Sequence, residues 1–583
     1  MEPSANTYAP TAGSVATGAS ATAASGHAGA GLDRPRSGQP SGTENGQIAG
    51  QTTGQTNGQT TGQSKKPRDL RLDFFRGIAM FIILFAHIPT NWWTLWIPAR
   101  FGFSDATEIF VFCSGMASAM AFGVLFATRG FWLGCGRIVF RIWQVYWCHI
   151  GILLVTAMIG YAIQSNGWGD PAVNYIHRPY LQPIFDNTGA AIIGALTLTY
   201  VPGLFDILPM YLVILALIPL VMLAHAHGGR IGAGALVVAL YVAAQLAGLA
   251  RQAGEEDWGG WGLAVAEWSA GTGLFAWLNL PGRPWDVATW FFNPFAWQLI
   301  FFTGFAFGMG WLPAPPRARW LLWVAIAVVV CSLPVAWHKM FAYFDGYVPQ
   351  AWGGEVFWEA RAAIEPFRWK TWAGVFRYSH FLALAYIAWY WAGPGGITLT
   401  RGLSAPLKDV AFWRKGSWVA GGVAVLTFPY GFAEEIAALP ALDALFSGWV
   451  PVVGLRWIGL LQIAHLLALG FLAWAALGPQ GRAQALGPVF LAIVPVIRKV
   501  GTQSLAVFVV SIPLAVTLGW LLDVMGRQMV TVALANLGGA AILIATAYGA
   551  AWFRRQPWRS SAPKPAVAPA PLVEPGPVRP APA

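Results

Sequence analysis

The chain has 583 residues, 56% of them hydrophobic and only 10% charged, and its mean hydropathy is +0.53. That composition excludes an ordinary soluble globule and predicts an all-α, polytopic integral membrane helix bundle of about 10–12 transmembrane helices. The formal net charge of +11 lies mostly in short segments beside apolar stretches, where it orients spans and is no nucleic-acid signature.

Residues 1–67 are rich in Gly, Ala, Ser, Thr and Gln and carry a G-Q-T-T-G-Q-T-N-G-Q-T-T-G-Q repeat. They lack the apolar content for a core and are expected to be a disordered cytoplasmic tail. No apolar segment follows a short basic start, so no cleavable signal peptide is expected and the first span directs insertion. Residues 68–556 form the predicted transmembrane domain, and 557–583 a disordered Pro/Ala-rich tail.

Spans of bilayer length are predicted to start near residues 74, 107, 142, 205, 231, 293, 320, 379, 416, 455, 503 and 529. Basic residues flank alternate loops: Lys65, Lys66, Arg68 and Arg71; Arg129, Arg137 and Arg141; Arg230; Arg317 and Arg319; Arg401, Lys408, Arg414 and Lys415; Arg482, Arg498 and Lys499; Arg554, Arg555 and Arg559. The intervening loops hold the acids, among them Glu255, Glu256, Asp257, Asp345, Glu355, Glu434, Glu435 and Asp443. This alternation predicts both termini in the cytoplasm and long outward loops at about 164–204, 250–292 and 338–378. Those loops are rich in Trp, which suits either a bulky external ligand such as a glycan or simple capping of the bundle.

The most informative stretch is R-L-D-F-F-R-G-I-A-M-F-I-I-L-F-A-H, residues 71–87. Ionisable groups at membrane depth are costly and usually mark a working site. On a helix Asp73, Arg76 and His87 fall within an arc of roughly 60°, with Asn91 extending the stripe. Arg76 and His87 are then separated by about 16 Å along the axis.

Other polar groups open the later spans. Ser104, Asp105, Thr107 and Glu108 lead the second and Asp206 the fourth. Asn293 and Gln298 sit in F-F-N-P-F-A-W-Q, Arg377 and His380 in F-R-Y-S-H-F-L-A-L-A-Y, and Gln503 and Ser504 open the eleventh. Each has a plainer reading: His149 and His465 as packing histidines, Asn293 and Gln298 as interhelical hydrogen bonders, the acids as headgroup-level residues. Cys113, Cys135, Cys148 and Cys331 read as small buried hydrophobes. No His/Cys spacing suits zinc, so no metal site is expected.

The pattern D-x-x-R-G-x-A with His eleven residues after the Arg (Asp73, Arg76, Gly77, Ala79, His87) resembles the first-helix signature of the transmembrane acyltransferases. Within that superfamily, six pieces in order resemble the OpgC-type succinyltransferases of osmoregulated periplasmic glucans: R-D-L-R-L-D-F-F-R-G, F-G-F-S-D-A-T-E-I-F-V-F-C-S-G, D-I-L-P-M-Y, F-F-N-P-F-A-W-Q, R-Y-S-H-F-L-A-L-A-Y and Q-S-L-A-V-F. Two departures stand out. More than a hundred residues separate His380 from Gln503, so either two spans are inserted or the helix with His465 is the family's. Thr502-Gln503-Ser504-Leu505 also lacks the family's usual His.

The resemblance implies transfer of an acyl group, succinyl by family, from cytoplasmic acyl-CoA to a periplasmic glucan hydroxyl across the bacterial inner membrane. No cofactor is bound permanently, because succinyl-CoA is a donor substrate. His87 is the implied base or acyl carrier. Asp105 or Glu108 would orient it, and Arg76 would pair with Asp73 or, with Arg137 and Arg141, hold coenzyme A phosphates. Arg377 would meet an acyl carboxylate or the oxyanion. His380, Asp206, Asn293, Gln298, Gln503 and Ser504 complete the implied substrate contacts. An O-acetyltransferase of another envelope polysaccharide, or a secondary transporter, are the alternatives.

Overall fold

The computed structural model describes residues 69–252, 259–337, 354–401, 410–427, 464–465, 467–472, 475 and 487–558. The predicted N-terminal tail, residues 559–583 of the C-terminal one, the start of the span expected near 455 and the acids Glu255, Asp345, Glu434, Glu435 and Asp443 lie outside them. Among the described residues the chain is helical, and its sole β element is an isolated bridge, Pro281 to Thr289.

The long helices in chain order are α1 (Leu70–His87), α2 (Ala106–Arg129), α3 (Phe131–Ser165), α4 (Ile207–Gln252), α5 (Pro294–Met309), α6 (Arg319–Ala336), α7 (Val375–Ala392), α8 (Val410–Thr427), α9 (Gly487–Thr502), α10 (Ser504–Met525) and α11 (Met529–Arg555). Six of these are long and apolar enough to cross a membrane: α2, α3, α4, α6, α10 and α11. α4 has 46 residues broken at Gly229, whose φ of 57° is non-helical, so the spans predicted at 205 and 231 are its two halves. α3 starts eleven residues before the span predicted at 142, with Phe131, Trp132 and Arg137 exposed on its first turns.

Large apolar side chains lie exposed on the outer helices: Val139, Trp143 and Trp147 on α3, Trp320 and Trp323 on α6, Leu534 and Leu537 on α11. In water such a surface would drive aggregation; in a bilayer it is the lipid face of a multi-pass membrane protein. The centre is dry and aromatic, with Trp297, Phe301, Phe305, Met80 and Leu84 almost wholly buried.

Two pairs of helices approach closely, because lipid supplies no hydrophobic drive for association and close packing must replace it. A Cβ on Gly77 would overlap the Ile497 carbonyl, and one on Gly501 the Asp73 carbonyl, which locks α1 to α9. Gly115 and Gly304 do the same for α2 and α5, against the Phe301 and Phe112 carbonyls. These contacts fix α1 and α2, the two helices that carry the site.

α1 begins at an N-cap, Asp69, whose carboxylate accepts from Arg71 N at 3.0 Å. It ends at His87 because Ile88 precedes a proline and turns extended. The helix therefore stops short of Asn91, and the predicted stripe ends at His87. Asn91 instead caps a 3-10 turn, Trp92–Trp96, and exchanges two amide hydrogen bonds with Asn536 of α11, at 2.8 and 3.0 Å.

Gly115→Leu is expected to cost about 1–3 kcal/mol through overpacking, seen as a lower melting temperature in detergent. Gly136→Leu, facing open space on α3, should change stability by less than about 0.5 kcal/mol. Equal melting temperatures for the two variants would contradict the α2–α5 packing.

Candidate functional site

The polar groups gather at the two ends of α1. At one end stands His87, half-buried, with Nδ1 2.6 Å from the Ile83 carbonyl of the preceding turn. That contact places the proton on Nδ1 and leaves Nε2 with a free lone pair.

Facing it is the start of α2. The sequence S-D-A-T-E makes a capping box: Asp105 Oδ1 accepts from Thr107 N at 2.6 Å and Glu108 Oε2 from Asp105 N at 2.7 Å. Each acid keeps its second oxygen for a cation. Glu108 Oε1 accepts from Arg377 Nε at 2.5 Å, and Asp105 Oδ2 from Lys370 Nζ at 2.6 Å, with Arg377 Nη2 3.6 Å away. Charged Lys370 and Asp105 both act on the His87 imidazole, with opposite sign. One turn beyond Arg377, His380 Nδ1 shares a 2.7 Å hydrogen bond with Ser104 Oγ, and its Nε2 is buried without a partner.

The sequence-predicted residues thus divide. His87, Asp105, Glu108, Arg377 and His380 meet at one end of α1. Asp206 is buried beside them within electrostatic reach of Lys370, its Oδ2 unpartnered. Neither Asp105 nor Glu108 hydrogen-bonds His87; the Ile83 carbonyl orients the ring. Arg377, expected to face an acyl carboxylate, is held by Glu108.

Asn293 and Gln298 serve the frame. Asn293 caps α5, its side-chain Nδ2 donates to the Leu278 carbonyl at 2.8 Å, and its backbone N–H donates to Thr371 O at 3.0 Å. Gln298 Nε2 donates to Val237 O at 2.7 Å. Between them the Trp297 indole donates to Lys370 O at 2.9 Å. The F-F-N-P-F-A-W-Q segment therefore holds the loop that presents Lys370, a residue the sequence reading did not single out. A lone lysine in W-K-T-W, seven positions before Arg377, gives no periodic signal.

At the other end, Asp73 and Arg76 are buried, and Arg76 Nη2 donates to the Cys113 carbonyl at 2.7 Å. A cavity of about 750 Å³ opens beside Arg76, lined by Arg141, Arg554, Gln503, Ser504 and Thr546. Gln503 Oε1 is buried without a partner. Three guanidinium groups from α1, α3 and α11 thus share one cavity, which suits an anionic, phosphate-bearing ligand. Arg137 does not line it; it lies exposed over the Phe140 ring, 5.7 Å from the centroid. Arg554 joins the cavity from nearly five hundred residues along the chain, beyond the reach of local sequence reasoning. Among the described residues no group of His, Cys, Asp and Glu is arranged to hold a metal ion.

The family described as OpgC protein matches residues 68–412 and 396–555. The chain belongs to the OpgC family. No curated protein and no solved structure matches it. Both ends of α1 and all six ordered motifs fall within the matched residues, so the OpgC match covers every side chain of the two polar clusters.

Glu108→Ala would leave the buried Arg377 with only the longer 3.6 Å contact to Asp105, at an expected cost of about 3 kcal/mol. Combining it with Arg377→Met should recover part of that loss in a thermal melt. A double variant less stable than the single one would show that the pair does not act as a unit.

Proposed function

We propose that this OpgC-family membrane acyltransferase moves a succinyl group from cytoplasmic succinyl-CoA to a hydroxyl of a periplasmic glucan. The observation that carries this reading is the pairing of two sites on one helix: an imidazole with a free Nε2 at one end and a triple-arginine cavity about 16 Å away at the other. The charge pattern assigns Arg76, Arg141 and Arg554 to the cytoplasmic side, which gives the His87 end to the periplasm.

In this reading the arginines hold the coenzyme A phosphates, and the walls formed by Val509, Val510 and Ala550 take the pantetheine arm. The thioester carbon comes up to His87. A glucan hydroxyl is a poor nucleophile at neutral pH, and His87 Nε2 removes its proton as the oxygen attacks. The tetrahedral oxyanion collapses, the C–S bond breaks, and the leaving thiolate takes the proton from the imidazolium. Ester and free coenzyme A are the products. Lys370, poised by Asp105, supplies positive charge beside the developing oxyanion. Ser104 and His380 brace the neighbouring Arg377 turn.

His87→Ala is expected to lower glucan succinylation at least about 10²-fold, with the same chromatographic profile and melting temperature as the wild type. The test is mass spectrometry of glucans from a deletion strain carrying either form. Unchanged succinylation would remove His87 from the mechanism.

A further inference from the structure

The charges around His87 are already matched. Lys370 is taken by Asp105 and Arg377 by Glu108, and Asp206 adds a third carboxyl. A dicarboxylic acyl group brings a free carboxylate of its own. It would find no spare cation there and would have to displace Asp105 or Glu108.

Arg100 differs. It closes the 3-10 turn Pro98–Arg100 in the loop from α1 to α2, thirteen residues after His87 and five before Asp105. The guanidinium is half-buried, and burial lowers its pKa from the usual arginine value. It has no ion pair with any carboxylate among the described residues. Its single hydrogen bond runs from Nε to Thr94 O, a long 3.4 Å. Among the described residues neither terminal nitrogen has a partner. Arginine stays charged in proteins, and a partly buried guanidinium without a counter-ion is unfavourable unless a ligand supplies one.

The loop is held firmly. Trp96 and Phe101 stack at 6.3 Å, Phe101 meets Trp337 at 5.5 Å, and Trp96 packs on His465 at 4.1 Å. Gly102, two residues on, lies so close to the His380 ring that a Cβ would overlap it. The loop carrying Arg100 therefore adjoins the His380 turn, which is bonded to Ser104 at the start of α2.

We propose that Arg100 reads the free carboxylate of a dicarboxylic acyl group, through the bidentate fork of its two terminal nitrogens, and so selects a succinyl chain over an uncharged one. This rests on the acyl-transfer reading and assigns the acyl specificity within it. Planar guanidinium matches carboxylate in geometry as well as charge, which an ammonium does not.

The test compares succinyl-CoA with butyryl-CoA, which has the same four acyl carbons but a methyl in place of the carboxylate. Full-length wild type, Arg100→Gln and Arg100→Lys are assayed in nanodiscs with a glucan acceptor. Binding of each thioester is measured in parallel, so that a donor that is bound but not turned over still reports. Arg100→Gln should lose on the order of 10²-fold in kcat/KM and affinity for succinyl-CoA, with butyryl-CoA little changed. Arg100→Lys, which guards against a folding defect, should fall between. Equal losses for both donors, or an unchanged succinyl preference in both variants, overturns the proposal. A wild type that neither binds nor transfers from either donor overturns the acyl-transfer reading itself.

Discussion

One carboxylate holds the His87 end together. Glu108 is fully buried and uses both oxygens, one to close the cap of α2 and one to neutralise Arg377 of α7. A local requirement of helix starts and a long-range ion pair are met by the same side chain. The cap fixes the rotamer, and the rotamer fixes where the guanidinium, and with it the His380 turn, can sit. Asp105 repeats the arrangement one step out, capping α2 and receiving Lys370. The imidazole thus faces a preorganised set of charges.

The second constraint is distance. α1 brings ionisable groups to both of its ends. It does this by burying Asp73 and Arg76 against α9 and α2, where Gly77 and Gly501 allow backbone contact. Arg76 donates to the Cys113 carbonyl of α2, and the same helix supplies Asp105 and Glu108 at its start. α1 and α2 together therefore form the frame between the arginine cavity and the imidazole, and their mutual packing keeps the two in register.

Much of this was legible in the sequence because its signals were local. Asp73, Arg76 and His87 follow helical spacing, S-D-A-T-E is a capping box written in order, and Arg377 and His380 lie one turn apart. The exceptions also have physical reasons. Asn91 looked like a continuation of the stripe, but Pro89 ends the helix before it, and the amide was recruited by Asn536 instead. Asn293 and Gln298 looked like intramembrane site groups, yet a helix start and a carbonyl on α4 claim them. Lys370 and Arg100 lie in irregular loops, where no periodicity marks a side chain as inward-facing. Arg554 reaches its cavity only through tertiary packing. Charge pairing such as Glu108 with Arg377, 269 positions apart, decides which cations are spare, and no single-sequence pattern reveals it.

The central claim is that the two ends of α1 serve opposite sides of one membrane. Proteoliposomes of uniform orientation, with succinyl-CoA and glucan supplied separately to the lumen or the bath, test it directly by mass spectrometry of the glucan. The account predicts ester formation only when donor is on the Arg76 side and acceptor on the His87 side. Esterification with both substrates confined to one side, at a comparable rate, would contradict it.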